Sequence, residues 1–297
     1  MINDRVNGKT AVFGVIGDPI EHTFSPCIQN TFADILGKNI IYTALHVMTG
    51  NLGDAIKGAY ALGICGLNVT VPHKKEVIKY LCDIDKRAEA IGAVNTLKYT
   101  ENGYVGCNTD IIGIDYSLKI RNTDIKGKKV LLLGAGGSAC AAAVFAASGG
   151  AEKITIANRT QSRARELAEH TNKYYKADIE AIGLDEIGKN DSYDIVFNTT
   201  TVGFGKMEGM SPIEDEGFFE RKKVSLAFDT IYIPWKTKFI SDAEKAGVTA
   251  VNGFDMLIFQ AAAAQEIWFD EKYDMGKIKN IRDELEKYYR NTLTDRI

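Results

Sequence analysis

With 297 residues, of which 45% are hydrophobic and 25% charged, the chain has the length of two ordinary domains and the composition of a globular protein, which excludes wholesale disorder. Its 36 basic and 39 acidic residues give a formal net charge of -3 and are interspersed without long same-sign blocks, so no nucleic-acid partner is expected. Five cysteines, Cys27, Cys65, Cys82, Cys107 and Cys140, never fall in a CxxC spacing, which argues against a disulfide framework or zinc ribbon and for reduced thiols.

Along the chain, Met1 to Thr10 is polar and lacks an apolar core, so no targeting segment and a cytoplasmic location are expected. Strand-like runs at Ala11 to Ile16, Ile41 to Val47 and Leu67 to Val69 alternate with helical segments, the pattern of a parallel α/β sheet. The first helix is expected to start with Ser25 as N-cap and Pro26 behind it. Two short strands, Asn95 to Tyr99 and Tyr104 to Cys107, flank Glu101-Asn102-Gly103, where Asn-Gly suits a hairpin. A helix from Asp110 to Lys119 then leads through Lys126-Gly127-Lys128-Lys129 to a second α/β unit. Its strand-like runs are Val130 to Leu133, Lys153 to Ala157, Asp194 to Asn198, Val224 to Phe228 and Val248 to Val251. From Gly253 onward the pattern is helical, with a helix opened by Met256, Leu257, Phe259 and Gln260 and another over Ile278 to Tyr289. The uncharged stretch Val130 to Ala151 could span a bilayer as one helix. Its glycines instead divide it into strand, turn and buried helix, so no membrane partner is expected.

Gly134-Ala135-Gly136-Gly137-Ser138-Ala139 fits GxGxxA directly between that strand and an alanine-rich helix. Glycines there permit a tight turn and bring backbone N–H groups to a pyrophosphate at the helix N-terminus. The next strand ends in Asn158-Arg159-Thr160, about 20 residues on, where the ribose is read. An arginine in place of the usual acid suits a 2′-phosphate, so NADP is the expected cofactor, with Arg163 one turn into the next helix as a second contact.

The four histidines, His22, His46, His73 and His170, show no metal-ligand spacing, so no metal is expected and proton handling falls to other side chains. Tyr232 to Lys236 and Tyr273 to Lys277 match YxxxK, but Pro234 and Gly276 spoil both as helices, and each match is read as chance. Asn68-Val69-Thr70-Val71-Pro72-His73-Lys74 runs from a strand into an expected helix, with Lys74 in its first turn. The positive end of the helix dipole would ease loss of its proton and fit it for general acid and base work.

These segments resemble the shikimate dehydrogenases over nearly the whole chain. The resemblance is carried by Gly17-Asp18-Pro19-Ile20-Glu21-His22-Thr23-Phe24-Ser25-Pro26, Asn68 to Pro72, Gly92-Ala93-Val94-Asn95-Thr96 and Asn108-Thr109-Asp110. It continues through the glycine loop, Asn158 to Thr160, Asp229-Thr230-Ile231-Tyr232 and Asn252-Gly253 followed by Met256-Leu257 and Gln260-Ala261. It implies two α/β domains: a substrate-binding catalytic domain of residues 1–110 plus 253–297 with a mixed, mainly parallel sheet, and a Rossmann-like NADP-binding domain of residues 111–252. It implies reversible NADP-linked reduction of 3-dehydroshikimate to shikimate, in a chain that is a monomer or homodimer.

Residue by residue, Lys74 and Asp110 match the family's catalytic pair, the lysine exchanging the proton of the reacting hydroxyl and the carboxylate orienting it. A neighbouring carboxylate favours the ammonium where a dipole disfavours it, so the balance stays open. Thr23, Ser25 and Tyr232 match residues that hold the substrate carboxylate, and Asn68, Thr70, Asn95 and Gln260 match residues that hold ring hydroxyls. Gly134 to Ser138, Asn158, Arg159, Thr160, Arg163, Thr230 and Gly253 are the cofactor candidates. The family usually has serine at Thr23, an apolar residue at His73 and small residues at Thr199 and Asp255. The methyl of Thr23 is expected to disfavour quinate, whose extra hydroxyl lies beside the carboxylate. A relative using quinate or NAD as well, a non-enzymatic metabolite sensor, and a related dehydrogenase of folate- or tRNA-linked substrates stand as alternatives.

Overall fold

The computed structural model describes residues 6–188, 192–215 and 217–293. The first five residues of the polar Met1 to Thr10 stretch and the last four of the expected substrate domain lie outside the described residues. Two compact units form, one from Met1–Glu89, Ala93–Thr109 and Leu257–Ile297, the other from Ala90–Gly92 and Asp110–Met256.

The first unit is built on six strands: β1 (Ala11–Gly17), β2 (Ile40–His46), β3 (Gly66–Val69), β4 (Asp83–Ile84), β5 (Thr96–Thr100) and β6 (Gly103–Cys107), in the order β2-β1-β3-β5-β6-β4. β1 pairs in parallel with β2 and β3, whereas β5 runs antiparallel to both β3 and β6, giving a mixed sheet. Its helices are α1 (Ser25–Ile35), α2 (Leu52–Ala61) and most of α3 (Lys86–Ile91). It also holds α9 (Phe254–Phe269) from Leu257 on, and α10 (Met275–Leu293). Trp268 of α9 packs its ring 4.9 Å from that of Phe13 and donates its indole N–H to the Leu97 carbonyl at 2.9 Å, so the buried N–H has a partner. Gly66 faces this indole so closely that any Cβ would collide with it.

Two local expectations are corrected. Ser25 is not the cap of α1: Phe24 already has helical backbone angles (φ -91°, ψ -5°), so Ser25 is the first helical residue and no side chain caps the helix. Lys74 lies in a turn ahead of a 3₁₀ segment, Glu76–Tyr80, and not in an α-helix. Its carbonyls are not aligned in the long array that creates a macrodipole, so the dipole argument for this lysine falls. The expected hairpin forms: Thr100 pairs with Gly103 across the turn, and Gly103 supplies the positive φ, of 131°.

The second unit carries β7 (Lys129–Leu133), β8 (Lys153–Ala157), β9 (Ile179–Ile182), β10 (Ile195–Asn198), β11 (Leu226–Asp229) and β12 (Thr249–Val251). All pairings are parallel, in the order β12-β11-β10-β7-β8-β9. Its helices are α4 (Asp110–Lys119), α5 (Gly137–Ser148), α6 (Gln161–Tyr174), α7 (Phe218–Arg221) and α8 (Lys238–Lys245). The uncharged stretch Val130 to Ala151 is divided between β7 and α5, and no described helix is long and apolar enough to cross a membrane. Residues Ala139 to Ala146 of α5 are all buried, as an alanine-rich helix without a polar face should be. The expected strand starting at Val224 begins at Leu226, and β9 has no counterpart in the sequence reading.

Asp255, one of the unusual residues, forms an ion pair with Arg121 at 2.7 Å and is 1% exposed. Arg121 also donates to the Ser117 carbonyl at 2.8 Å, tying the end of α4 to the start of α9. Removing one partner of a buried pair strands the other charge. Arg121→Met, which strands the buried Asp255 carboxylate, is therefore expected to destabilise the fold by about 3 kcal/mol in denaturant titration, and a simultaneous Asp255→Ala change to recover part of the loss. A single variant as stable as the wild type would contradict the pairing.

Candidate active site

In the first unit, several of the polar residues named from sequence converge. The Asn95 side-chain carbonyl accepts from the Thr109 backbone N–H at 2.8 Å and from the Thr96 hydroxyl at 2.9 Å. Its amide donates to Thr109 Oγ1 at 3.0 Å and to Gln260 Oε1 at 3.4 Å, while Gln260 Nε2 is held by the Leu257 carbonyl at 2.9 Å. Asn68 lies beside this cluster and donates to the Asn95 carbonyl and to Thr96 Oγ1, both at 3.1 Å. Its side-chain oxygen accepts from the Tyr42 hydroxyl at 2.7 Å and from Gln29 Nε2 at 3.4 Å. Asn68, Asn95, Thr96, Thr109 and Gln260 are all buried, so these bonds are made in a medium that strengthens them.

Thr109, Thr96, Gln29 and Tyr42 were not singled out from sequence. Thr109 stood inside the Asn108-Thr109-Asp110 segment, and Gln29 had a visible signal: it sits among Ile28, Phe32 and Ala33 on the buried stripe of α1. A glutamine there demands a polar partner.

The backbone at Lys74 is fixed to the same region, because its carbonyl accepts from the Val94 N–H at 2.8 Å, next to Asn95. His73 beside it is 2% exposed and its Nε2 meets the Val47 carbonyl at 2.7 Å, which makes Nε2 the protonated nitrogen. Thr70 follows β3 and donates its N–H to the Ile16 carbonyl at 2.9 Å. Thr23 and Ser25 flank Phe24, whose ring lies 5.2 Å from Tyr289 of α10, edge to face. Thr23 Oγ1 accepts from the Ser25 N–H at 3.3 Å, which sets the two hydroxyl residues in one loop.

In the second unit, the sheet order reverses at β7, with β8 on one side and β10 on the other. Open α/β sheets bind ligands beyond the strand ends at such a point. Gly134 leaves β7 with φ 112°, and a side chain there would strike Thr199 Oγ1, itself bonded to the Leu133 carbonyl at 2.7 Å. At Gly136 an added Cβ would meet nothing within 4 Å, leaving room for a ligand to approach the backbone. Gly137 and Ser138 open α5, whose first turn has no acidic residue and no side-chain cap. Ala135, between Gly134 and Gly136, is buried. These features fit a dinucleotide pyrophosphate.

At the end of β8, Asn158 Nδ2 donates to the Thr160 carbonyl at 2.9 Å. Arg159, Thr160 and Arg163 are exposed, and no described carboxylate pairs with either arginine. Thr230 bonds the Asn198 carbonyl through both its N–H and its hydroxyl, at 2.9 and 3.1 Å, and Gly253 donates to the Ile231 carbonyl at 2.9 Å. A Cβ at Gly253 would collide with the Thr230 carbonyl, so glycine is required. Asp110, the first residue of α4, is buried and belongs to this unit, as does half-buried Tyr232; Lys74 belongs to the other.

The loop bearing Thr230 and Tyr232 is organised by Asp229, which is fully buried. Burial pushes its carboxyl up to about 6, opposed by bonds from Thr237, the Ile231 N–H and Asn198. The folded carboxyl thus keeps its proton above the ordinary value of 3.8. Its contribution to stability is complete below about pH 4 and is lost as pH rises through about 6, a change of about 3 kcal/mol. Asp229→Asn should remove that slope, so its stability relative to wild type rises between pH 4 and pH 7; parallel curves would contradict the assignment.

A glycine loop at the switch point of a parallel sheet, followed by arginines suited to a phosphate, defines a nucleotide-dependent oxidoreductase with a separate polar substrate unit. Known proteins narrow the class. Residues 15–97 match the family described as shikimate dehydrogenase substrate binding domain, and residues 117–203 match shikimate / quinate 5-dehydrogenase. The shikimate dehydrogenase (NADP(+)) of Caldanaerobacter subterraneus subsp. tengcongensis is 40% identical, covering 95% of this chain and 100% of its own. That of Methanocaldococcus jannaschii is 39% identical, with 95% and 100% coverage. The solved chorismate mutase/shikimate 5-dehydrogenase fusion protein from Clostridium acetobutylicum superposes with a TM-score of 0.85 at 34% identity, over 94% of this chain and 98% of that one. This chain belongs to the shikimate dehydrogenase family.

Proposed function

We propose that the chain catalyses the reversible NADP-dependent reduction of 3-dehydroshikimate to shikimate. The observation that carries this reading is the buried cluster of Asn95, Thr109 and Gln260, which lies in the unit whose sequence matches the substrate-binding family. A small polyhydroxylated acid offers little apolar area, so its orientation must come from several fixed polar groups. Thr70, Asn95 and Gln260 are assigned to ring hydroxyls, and Thr23, Ser25 and Tyr232 to the carboxylate.

Gly134, Ala135, Gly136, Gly137 and Ser138 would hold the pyrophosphate, Asn158, Arg159, Thr160 and Arg163 the phosphorylated ribose, and Thr230 and Gly253 the nicotinamide side. NADP supplies the hydride acceptor when bound, and its reduced form the donor. The Lys74 ammonium gives its proton to the carbonyl oxygen during reduction and takes it back from the hydroxyl during oxidation. The Asp110 carboxylate orients that ammonium and accepts from an adjacent hydroxyl.

The test is nicotinamide reduction with shikimate or quinate, each paired with NADP or NAD. Shikimate with NADP is expected to give the highest kcat/KM of the four, and absence of turnover with that pair would refute the proposal. The Thr23 methyl is expected to hold quinate below shikimate.

A further inference from the structure

The buried amides of Asn68 and Asn95 both have every hydrogen-bonding position used within the protein, but the partners differ: Asn95 is held by Thr109 and Gln260, whereas the Asn68 oxygen is held by Tyr42 and Gln29, neither of which is assigned to the substrate. An asparagine side chain offers two N–H donors and two acceptor lone pairs. The donors of Asn68 go to the Asn95 carbonyl and Thr96 Oγ1, and its acceptors are taken by the Tyr42 hydroxyl and Gln29 Nε2. We propose that Asn68 is a positioning residue and not a ligand of the substrate, and that the Tyr42 hydroxyl, by fixing the Asn68 amide, sets the geometry of Thr96 and Asn95. This inference rests on the functional reading above and revises the part that the family resemblance gives Asn68.

Sheet register explains the arrangement. On β1, Phe13 pairs with Tyr42 and Val15 with Asn68. Phe13 and Val15 are two residues apart and so point to one face, which puts Tyr42 and Asn68 on that same face across the central strand. α1 covers it and supplies Gln29, which Gln265 of α9 bonds in turn at 2.9 Å. Tyr42 is 2% exposed, and burial holds its phenol well above the ordinary value, so it stays a neutral donor at every working pH. With its oxygen occupied by that donor, Asn68 can present only its N–H groups to Thr96 and Asn95. Thr96 in turn directs its own hydrogen to Asn95 Oδ1, which leaves the Asn95 amide facing Thr109 and Gln260.

The test is a kinetic cycle on the intact chain with Tyr42→Phe, Asn68→Ala and the double variant, using NADP with shikimate and with analogues lacking one ring hydroxyl. Tyr42→Phe is expected to raise the KM for shikimate about tenfold while kcat and the KM for NADP stay within about twofold. The double variant should be no worse than Asn68→Ala, and the Asn68→Ala penalty should persist with every deoxy analogue. A wild-type KM in Tyr42→Phe, or an Asn68→Ala penalty that vanishes with one analogue, would overturn the proposal. A wild-type chain that fails to oxidise shikimate refutes the functional reading instead; hydrogen exchange of the Asn68 side-chain amide then decides, expected to be protected in the wild type and at least tenfold faster in Tyr42→Phe, with equal rates overturning the lock. If Tyr42→Phe does not fold, Asn68→Ala alone is compared across the deoxy analogues, and a penalty that vanishes with one of them overturns the proposal.

Discussion

Lys74→Met is expected to lower kcat for shikimate oxidation by about 10³-fold, the scale of a lost general acid and base. The substitution should leave the local fold intact, because the turn is held by main-chain groups. The Lys74 carbonyl accepts from Val94, the His73 carbonyl accepts from Val77 and the His73 N–H bonds the Thr70 carbonyl, at 2.8 to 2.9 Å. None of these bonds involves the Lys74 side chain. Binding of NADP, measured by equilibrium titration, should change less than about twofold, since the residues assigned to it lie on other elements. Asp110→Asn should also depress kcat, and with it raise the KM for shikimate, because an amide both positions an ammonium less well and offers a weaker acceptor to a hydroxyl. A kcat for Lys74→Met within tenfold of wild type would remove the lysine from the proton path.

The second large effect concerns the cofactor. Arg159 follows β8 and is exposed, with no described carboxylate competing for its guanidinium. A guanidinium donating to a phosphate makes charge-assisted bonds of about 1.5–3 kcal/mol. Arg159→Ser should therefore raise the KM for NADP by about 10- to 100-fold while the kcat/KM with NAD, which lacks the 2′-phosphate, holds or rises. Arg163→Ser should give a smaller loss in the same direction. Stability should be unchanged, because neither side chain is buried. Equal losses for both cofactors would place Arg159 on the shared part of the dinucleotide.

Much of the architecture was legible from residue pattern because the decisive signals were local. Four aliphatics followed by a glycine loop and an alanine-rich run read as strand, turn and buried helix, and β7 and α5 take those positions. β9 left no such trace: it is an edge strand of Ile179, Glu180, Ala181 and Ile182, with every residue at least partly exposed, so alternation is weak. The turn at Lys74 was misread because a 3₁₀ segment and the first turn of an α-helix share nearly the same spacing of apolar residues. Capping of α1 was misplaced by one residue because backbone angles at Phe24, and not side-chain identity, decide where a helix begins.

The substrate-side candidates divide along the same line. Asn95 and Gln260 stood out through the family resemblance, and they meet in one cluster with Thr109. Tyr42 and Gln29 could not be connected to Asn68 from sequence, since the link depends on strand register across β1 and on which face of α1 covers the sheet. A slip of one residue would send Tyr42 to the opposite face. Asp255 looked anomalous in place of a small residue, and its ion pair with Arg121 supplies the reason.

The most direct measurement uses shikimate carrying deuterium on the carbon of the reacting hydroxyl. Incubated with this chain and NADP, it should yield 3-dehydroshikimate and NADPH labelled at C4 of the nicotinamide ring, seen by NMR, with a primary isotope effect on single-turnover rates. Label released to solvent, or no product with NADP, would contradict hydride transfer between this acid and this cofactor.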